Sequence, residues 1–197
     1  MKALMILSAA AMTATPVMAA VFTDSASFFA QLVPGSYTND FTGLGGGPSP
    51  DLSFSSGGFS YTISTQAGAA SGLFNDPGLV STNNATDSIL VSFTSGNVTA
   101  VGGNFWATNI SVQPVAAQVA VTLSDGQTVT FNSTSAADFR GFTSGVTITS
   151  LTIDAIDPIS GPAWSTLDNL TVGRVIPAPG AMAVLGLGGL LAARRRR

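Results

Sequence analysis

The chain has 197 residues, of which only 9% are charged, with Lys and Arg totalling 7 against 10 Asp and Glu, and with no Cys and no His. Without Cys there is no thiol nucleophile, disulfide or thiolate metal site, and without His the commonest general base and transition-metal ligand are missing. All ten acids are Asp and lie between residues 24 and 168, with Arg140 and Arg174 as the cations of residues 20–174; that segment carries a net charge of −8 and cannot neutralise a run of phosphates, which excludes nucleic acid as a partner.

In chain order, residues 1–19 read as a secretory signal peptide. Lys2 gives the positive start, Ala3 to Met12 the apolar stretch, and Val17 and Ala19 the small residues at −3 and −1 of a cleavage site. Residues 20–174 are one domain of ordinary size. Its one expected helix spans Thr23 to Val33, capped by Thr23 or Asp24, with Phe28, Phe29 and Leu32 on one face and Pro34-Gly35 as the stop.

From Ser36 the apolar period becomes two. Tyr37 to Phe41 reads as a strand, Gly43 to Pro50 as a long loop, and Leu52 to Phe54 with Phe59 to Ser64 as a hairpin about Ser55-Ser-Gly-Gly58. Residues 67–85 read as the least structured part of the domain. Ser88 to Phe93 and Val98 to Ala107 are expected strands, the second carrying Gly102-Gly103, where a bulge or a close backbone approach is required. Val115 to Leu123 alternates strictly and forms a hairpin with Thr128 to Phe131 across Asp125-Gly126. Phe139 to Phe142 opens a further strand. Val146 to Ile156 is another, with a bulge at Thr149-Ser150, and Ser165 to Val172 is the last.

Eight or nine short strands with Gly and Asn turns imply an all-β domain, an antiparallel β-sandwich of jelly-roll type with one short N-terminal helix. Ser, Thr and Asn can solvate its outer faces in place of charge.

The sharpest local pattern is Trp164-Ser-Thr-Leu-Asp-Asn-Leu-Thr-Val-Gly173. In a regular strand Trp164, Thr166, Asp168, Leu170 and Val172 share a face, which places a carboxylate in an apolar line and demands a partner for it. This pattern resembles the closing strand of carbohydrate-binding, galactose-binding-like jelly rolls. The resemblance implies that Asp168, with Asp40 as partner, helps hold a structural Ca²⁺, which takes six to eight oxygens. The alternative is that Asp168 accepts backbone N–H bonds from a turn or pairs with Arg140.

Trp106, Trp164, Tyr37 and Tyr61 are the flat aromatics that a glycan platform would need, with Asn104 beside Trp106. Trp106 and Asn104 are the ligand-binding candidates if Phe105 points inward; otherwise Trp106 belongs to the core. An enzyme is not expected. No HExxH helix, Walker loop or GxGxxG after a strand is present, and Gly43-Leu-Gly-Gly-Gly47 lacks the Lys and helix of a phosphate loop. A pair of Asp carboxylates, as in a glycan hydrolase, is the one catalytic alternative, and an inert surface coat is the other.

Residues 175–197 are a tail in three parts: Pro177-Ala178-Pro179, an uncharged apolar run from Gly180 to Ala193 that reads as a short transmembrane helix, and Arg194, Arg195, Arg196 and Arg197, which hold its end on the cytoplasmic side. The run is shorter than the roughly 20 residues of a comfortable span. The tail resembles the PEP-CTERM sorting signal of exported bacterial proteins, with Ala178 where that family usually has Glu. The resemblance implies an exosortase-type membrane enzyme as partner, anchoring before processing, and a mature protein at the cell surface or in the exopolysaccharide of a biofilm matrix.

Overall fold

The computed structural model describes residues 19–66, 72–156, 158 and 161–177. The expected signal peptide through residue 18 lies outside the described residues. So do Ala178, Pro179, the expected C-terminal helix and Arg194, Arg195, Arg196 and Arg197. Among the described residues no helix is long and apolar enough to cross a membrane.

The described chain runs β1 (Ala20–Phe22), α1 (Ser25–Phe29), β2 (Tyr37–Asn39), β3 (Gly47–Ser49), β4 (Leu52–Ser56), β5 (Phe59–Thr65), β6 (Leu73–Asp76) and β7 (Leu79–Thr82). It continues through β8 (Ile89–Phe93), β9 (Ala100–Thr108), β10 (Pro114–Val115), β11 (Ala117–Leu123), β12 (Thr128–Ser133), β13 (Phe139–Thr143), β14 (Ser150–Ile156) and β15 (Trp164–Gly173). Two antiparallel sheets result, giving an all-β sandwich. One has the order β1-β13-β9-β15-β7-β6-β3, with β10 paired to β9 and β2 to β15; the other has the order β12-β11-β14-β8-β5-β4.

Alternation decides which side of each strand is buried. In β11, Ala117, Val119, Val121 and Leu123 are buried while Gln118 and Thr122 are exposed. The inward rows of the six-stranded sheet, such as Ile89 and Val91 of β8 and Leu151 and Ile153 of β14, meet Val101 and Phe105 of β9 and Leu167, Leu170 and Val172 of β15 in one continuous core. The Asp125-Gly126 hairpin forms as the sequence predicts, with Gly126 at φ 91° and the Asp125 carboxylate accepting the Gln127 N–H.

Several expectations need correction. The segment after residue 67 is not loop throughout: β6 and β7 form a hairpin about Pro77-Gly78, and β3 pairs with β6 inside the expected Gly43–Pro50 loop. Polar Asn, Asp and Ser positions hid these strands, because only Leu73 and Val80 of the hairpin face the core. The helix is one and a half turns and not eleven residues. Asp24 caps it through the Ser27 N–H at 2.8 Å, and Phe29 is 44% exposed while Phe28 is fully buried. β14 begins at Ser150. Ile148, ahead of it, is buried and bonds backbone-to-backbone to Val98, so the phase slip falls at the strand's start.

Gly102 lies in an unbroken β9, and the close-approach reading of that site is the one realised. Phe28 of α1 sits on the outer face of the nine-stranded sheet, over Gly102 and Gly141, packed with Phe22 and Phe139 at ring separations of 6.1 and 5.7 Å. A Cβ at Gly141 would lie 2.5 Å from Phe28 Cδ2 and 2.9 Å from its Cβ. The stem of the ring, and with it the helix, would have to move. Gly141→Ala is therefore expected to destabilise the domain by about 1–3 kcal/mol in denaturant unfolding, the usual range for overpacking. Gly45→Ala, which meets nothing within 4 Å, is the control and should change stability by under about 0.5 kcal/mol.

Candidate functional site

The closing strand β15 lies between β9 on one side and two short strands on the other. Thr166 and Leu167 pair with Ser81 and Val80 of β7, whereas Leu170 to Val172 pair with Asn39 to Tyr37 of β2. Between these two pairings the register with β9 shifts, from Asp168↔Asn104 to Thr171↔Gly102. Asn169 makes the bulge in the left-handed region, φ 51°, a conformation in which Asn is among the best-tolerated residues after Gly.

The bulge corrects the face assignment made from the sequence. Leu167, Leu170 and Val172 all enter the core, while Asp168 turns to the outer face with Trp164 and Thr166. A regular strand would have put the carboxylate in line with Leu170; the extra residue removes that conflict.

Asp168 and Asn104 are thus directly opposed across the β9–β15 pair, and the end of β2 brings Asp40 close enough for its charge to act on Asp168. Asn169, which the sequence reading did not single out, completes the group. Its Nδ2 donates to Asp168 Oδ2 at 2.8 Å and to Asn104 Oδ1 at 3.2 Å, and its backbone N–H donates to Asp168 Oδ1. On β2, the Asn39 side chain accepts the Phe41 N–H and donates to the buried Tyr61 hydroxyl, steering Phe41 into the left-handed region at φ 53°. The Asp40 carboxylate accepts from the Thr42 N–H and hydroxyl.

These surroundings drive the two acids apart. Partial burial pushes Asp168 up to about 6, against the downward pull of the Asn169 N–H and with help from the Asp40 charge. The Thr42 hydroxyl and N–H hold Asp40 below the ordinary carboxylate value.

Both Asp168 oxygens accept N–H bonds from Asn169 and one Asp40 oxygen accepts from Thr42, and among the described residues no group of three or more His, Cys, Asp or Glu side chains converges, so a calcium ion here would have to draw most of its oxygens from amide and backbone carbonyls. Where the sequence suggested backbone N–H bonds from a turn, Asp168 accepts one backbone and one side-chain N–H, both from Asn169 of its own bulge. Pairing with Arg140 is not how it is satisfied: the Arg140 guanidinium lies 3.8 Å from the centre of the Phe131 ring and donates to the Phe139 carbonyl.

Trp106 is not a surface platform. Phe105 does point into the core, but Trp106 on the opposite side of β9 is itself only 2% exposed, with its indole N–H unpartnered. Tyr61 is a core residue and Tyr37 packs on it at a ring separation of 5.9 Å. Of the four aromatic candidates, Trp164 and Tyr37 are partly exposed, and Trp164 is the one that borders a hollow.

Trp164 pairs with Thr108 at the end of β9, where the loop to β10 begins. Asn109 builds that loop: its side-chain oxygen accepts the N–H groups of Ser111 and Gln113, and its carbonyl accepts the N–H of Val112. The loop holds two anomalies. Val112 is a β-branched residue at φ 60°, and Ile110 is 82% exposed. Between Trp164, Ile110, Asn109, Phe74 and Thr82 lies a hollow of about 180 Å³. A wider one of about 430 Å³, bounded also by Val115 and Pro162, shares Trp164, Ile110 and Asn109 with it. Beneath, the Ser81, Thr166 and Thr108 hydroxyls form a buried hydrogen-bonded chain at 2.9 and 3.0 Å. Nothing in Asn109-Ile-Ser-Val-Gln113 marks it as special from sequence alone, beyond two β-branched apolar residues inside a turn. No protein-family model and no curated protein matches the chain.

Because Asp168 binds its proton more tightly folded than unfolded, its contribution to stability is complete below pH about 3.8 and lost as pH rises to about 6. Asp168→Asn, an isostere that keeps an acceptor for the Asn169 N–H, should abolish that component. The stability difference between the variant and the parent, measured by denaturant unfolding, is expected to shift in favour of the variant as pH rises across that window and to be level above pH 7. A difference independent of pH between 3.5 and 7 would show that Asp168 titrates normally.

Proposed function

We propose that this is an exported cell-surface or extracellular-matrix protein, delivered by the PEP-CTERM-like tail and acting as a structural or glycan-interacting module of an exopolysaccharide matrix. The observation that carries this reading is how the first and last described residues of the sandwich are paired. β1 begins at Ala20, the residue after the expected signal-peptide cut. At the other end, the Val33 N–H bonds to the Arg174 carbonyl, Val175 bridges to Leu32, and the Ile176 N–H bonds to the Gln31 carbonyl. Pro177, the first residue of the sorting motif, follows immediately. A cut on either side would leave these described pairings in place. The jelly-roll assignment belongs to the same reading, supported by a chain that crosses between the sheets at β8 to β9 and at each step from β12 to β15.

A second reading, a carboxylate-based glycan hydrolase, is favoured by Asp168 and Asp40, whose proton affinities are driven in opposite directions as in an acid and base pair. The hydrogen bonds that occupy both acids weigh against it.

Mass spectrometry of protein recovered from the surface of the producing cell is expected to show a chain beginning at Ala20 and lacking Gly180 to Arg197. Replacing Pro177 and Pro179 with Ala should leave the tail attached and the protein in the membrane fraction. Recovery of the parent with its arginines intact would sink the sorting reading. Hydrolysis of a neutral glycan by the purified chain, lost on Asp168→Asn, would favour the second reading over the first.

A further inference from the structure

The Asn109 loop keeps a β-branched residue in a conformation that L side chains rarely adopt and presents an isoleucine almost wholly to water. Both features cost stability, and such costs persist where a site needs the shape they produce. What the loop produces is a wall facing the partly exposed indole of Trp164, with a ring-sized gap between.

We propose that this gap is a binding site for one ring of a neutral glycan, with Trp164 as the stacking platform and Ile110 as the opposing wall. The inference rests on the reading above that the domain works among extracellular polysaccharides, and adds where and what it binds. Three observations select the ligand. Every described residue that lines the two hollows is uncharged, so a phosphate, carboxylate or ammonium group would enter without a counter-charge. The surrounding domain carries a net charge of −8, which repels an anionic polymer at long range. The lining combines apolar faces with polar groups, including the Asn109 amide and the Thr82 hydroxyl, which is buried and has no hydrogen-bond partner among the described residues. A sugar ring matches this: its C–H face stacks on an indole while its hydroxyls reach amide and hydroxyl groups at the edge. At about 180 Å³ the first hollow is well below the roughly 300–1,000 Å³ of drug-sized pockets, so it takes a single ring. The second hollow continues past the same Trp164 and Ile110, so a polymer can run through and need not end there.

The test uses the purified full chain in detergent, titrated with cellohexaose, laminarihexaose, xylohexaose and maltohexaose, and with oligogalacturonate as the acidic counterpart, by calorimetry and indole fluorescence. At least one neutral hexasaccharide is expected to bind, oligogalacturonate is not, and Trp164→Ala should weaken binding by about tenfold or more. Trp106→Phe should leave affinity unchanged. Ile110→Asp, at a position 82% exposed and so without consequence for folding, should weaken binding by a similar factor while leaving the melting temperature in place. Binding that survives Ile110→Asp, preference for oligogalacturonate, or no binding across the neutral panel would each overturn the site. Trimming of the tail is read separately. A chain that is trimmed and displayed yet binds no neutral hexasaccharide keeps the export reading and loses this one; a chain that binds but is never trimmed does the opposite.

Discussion

Much of this molecule depends on one backbone irregularity, the left-handed residue Asn169 in the closing strand. β15 is the strand that the nine-stranded sheet is assembled around, with β9 along one edge and β7 and β2 sharing the other. A regular strand would force a choice between burying Leu170 and burying Asp168. The bulge lets Leu167 and Leu170 both face the core and sends the carboxylate out. The same residue then supplies two N–H groups to that carboxylate, so the device that exposes the acid also satisfies it. The edge of β15 changes partner at this point too, and the end of β2 delivers Asp40 beside Asp168. One residue in an unusual conformation thus sets strand pairing, core composition and the chemistry of an acid whose proton affinity is raised.

The outer face of that sheet is shaped by a different constraint, absence of side chain. Gly102 and Gly141 make a trough into which Phe28 fits, and the short helix is held there by ring contacts and its Asp24 cap, not by its length. Further along the same face of β9, Asn104, Trp106 and Thr108 follow in sequence at every second position. Trp106 is covered, and the hydroxyl chain of Ser81, Thr166 and Thr108 is buried. At the sheet's end, where Trp164 meets the Asn109 loop, an aromatic ring on this side reaches solvent beside a hollow. On this face of β9 and β15 the exposed groups thus include the Asp168 and Asn169 pair at the bulge and the Trp164 ring at the end.

How far the sequence reveals this follows from which side chains take part. The sandwich is legible because its strands bury alternate Val, Ile, Leu and Phe, and the Asp125-Gly126 hairpin is legible because its turn needs residues of that kind. The β6–β7 hairpin is not, since its inward positions are few and its outward ones resemble a loop. The partners of Asp168 are half legible. Asp168, Asp40 and Asn104 are polar residues in apolar strands and announce themselves, but their meeting depends on a register shift that the spacing of Leu167, Leu170 and Val172 encodes only once the phase change is taken literally. Trp106 fails as a platform for a reason no strand pattern contains, because alternation tells which face a residue is on and not whether something covers that face. The Ile110 wall is invisible in sequence because its peculiarity is conformational, residing in Val112.

The scarcity of charge ties these features to how the protein behaves among its own copies. Among the described residues the six-stranded sheet ends in β12 and β4, with no charged residue and no proline in either strand. Most soluble β-domains guard such edges with lysine or proline. Here the separation of copies falls to the acids around the sheet, among them Asp51 just before β4 and Asp125 in the turn leading to β12. Net repulsion of like charge acts on the whole domain rather than on one edge, and it weakens as carboxylates take up protons. Partial burial raises Asp168 to about 6, so mild acid is enough to begin removing its charge. Acid thus weakens the one general repulsion that separates copies of a domain so poor in charge.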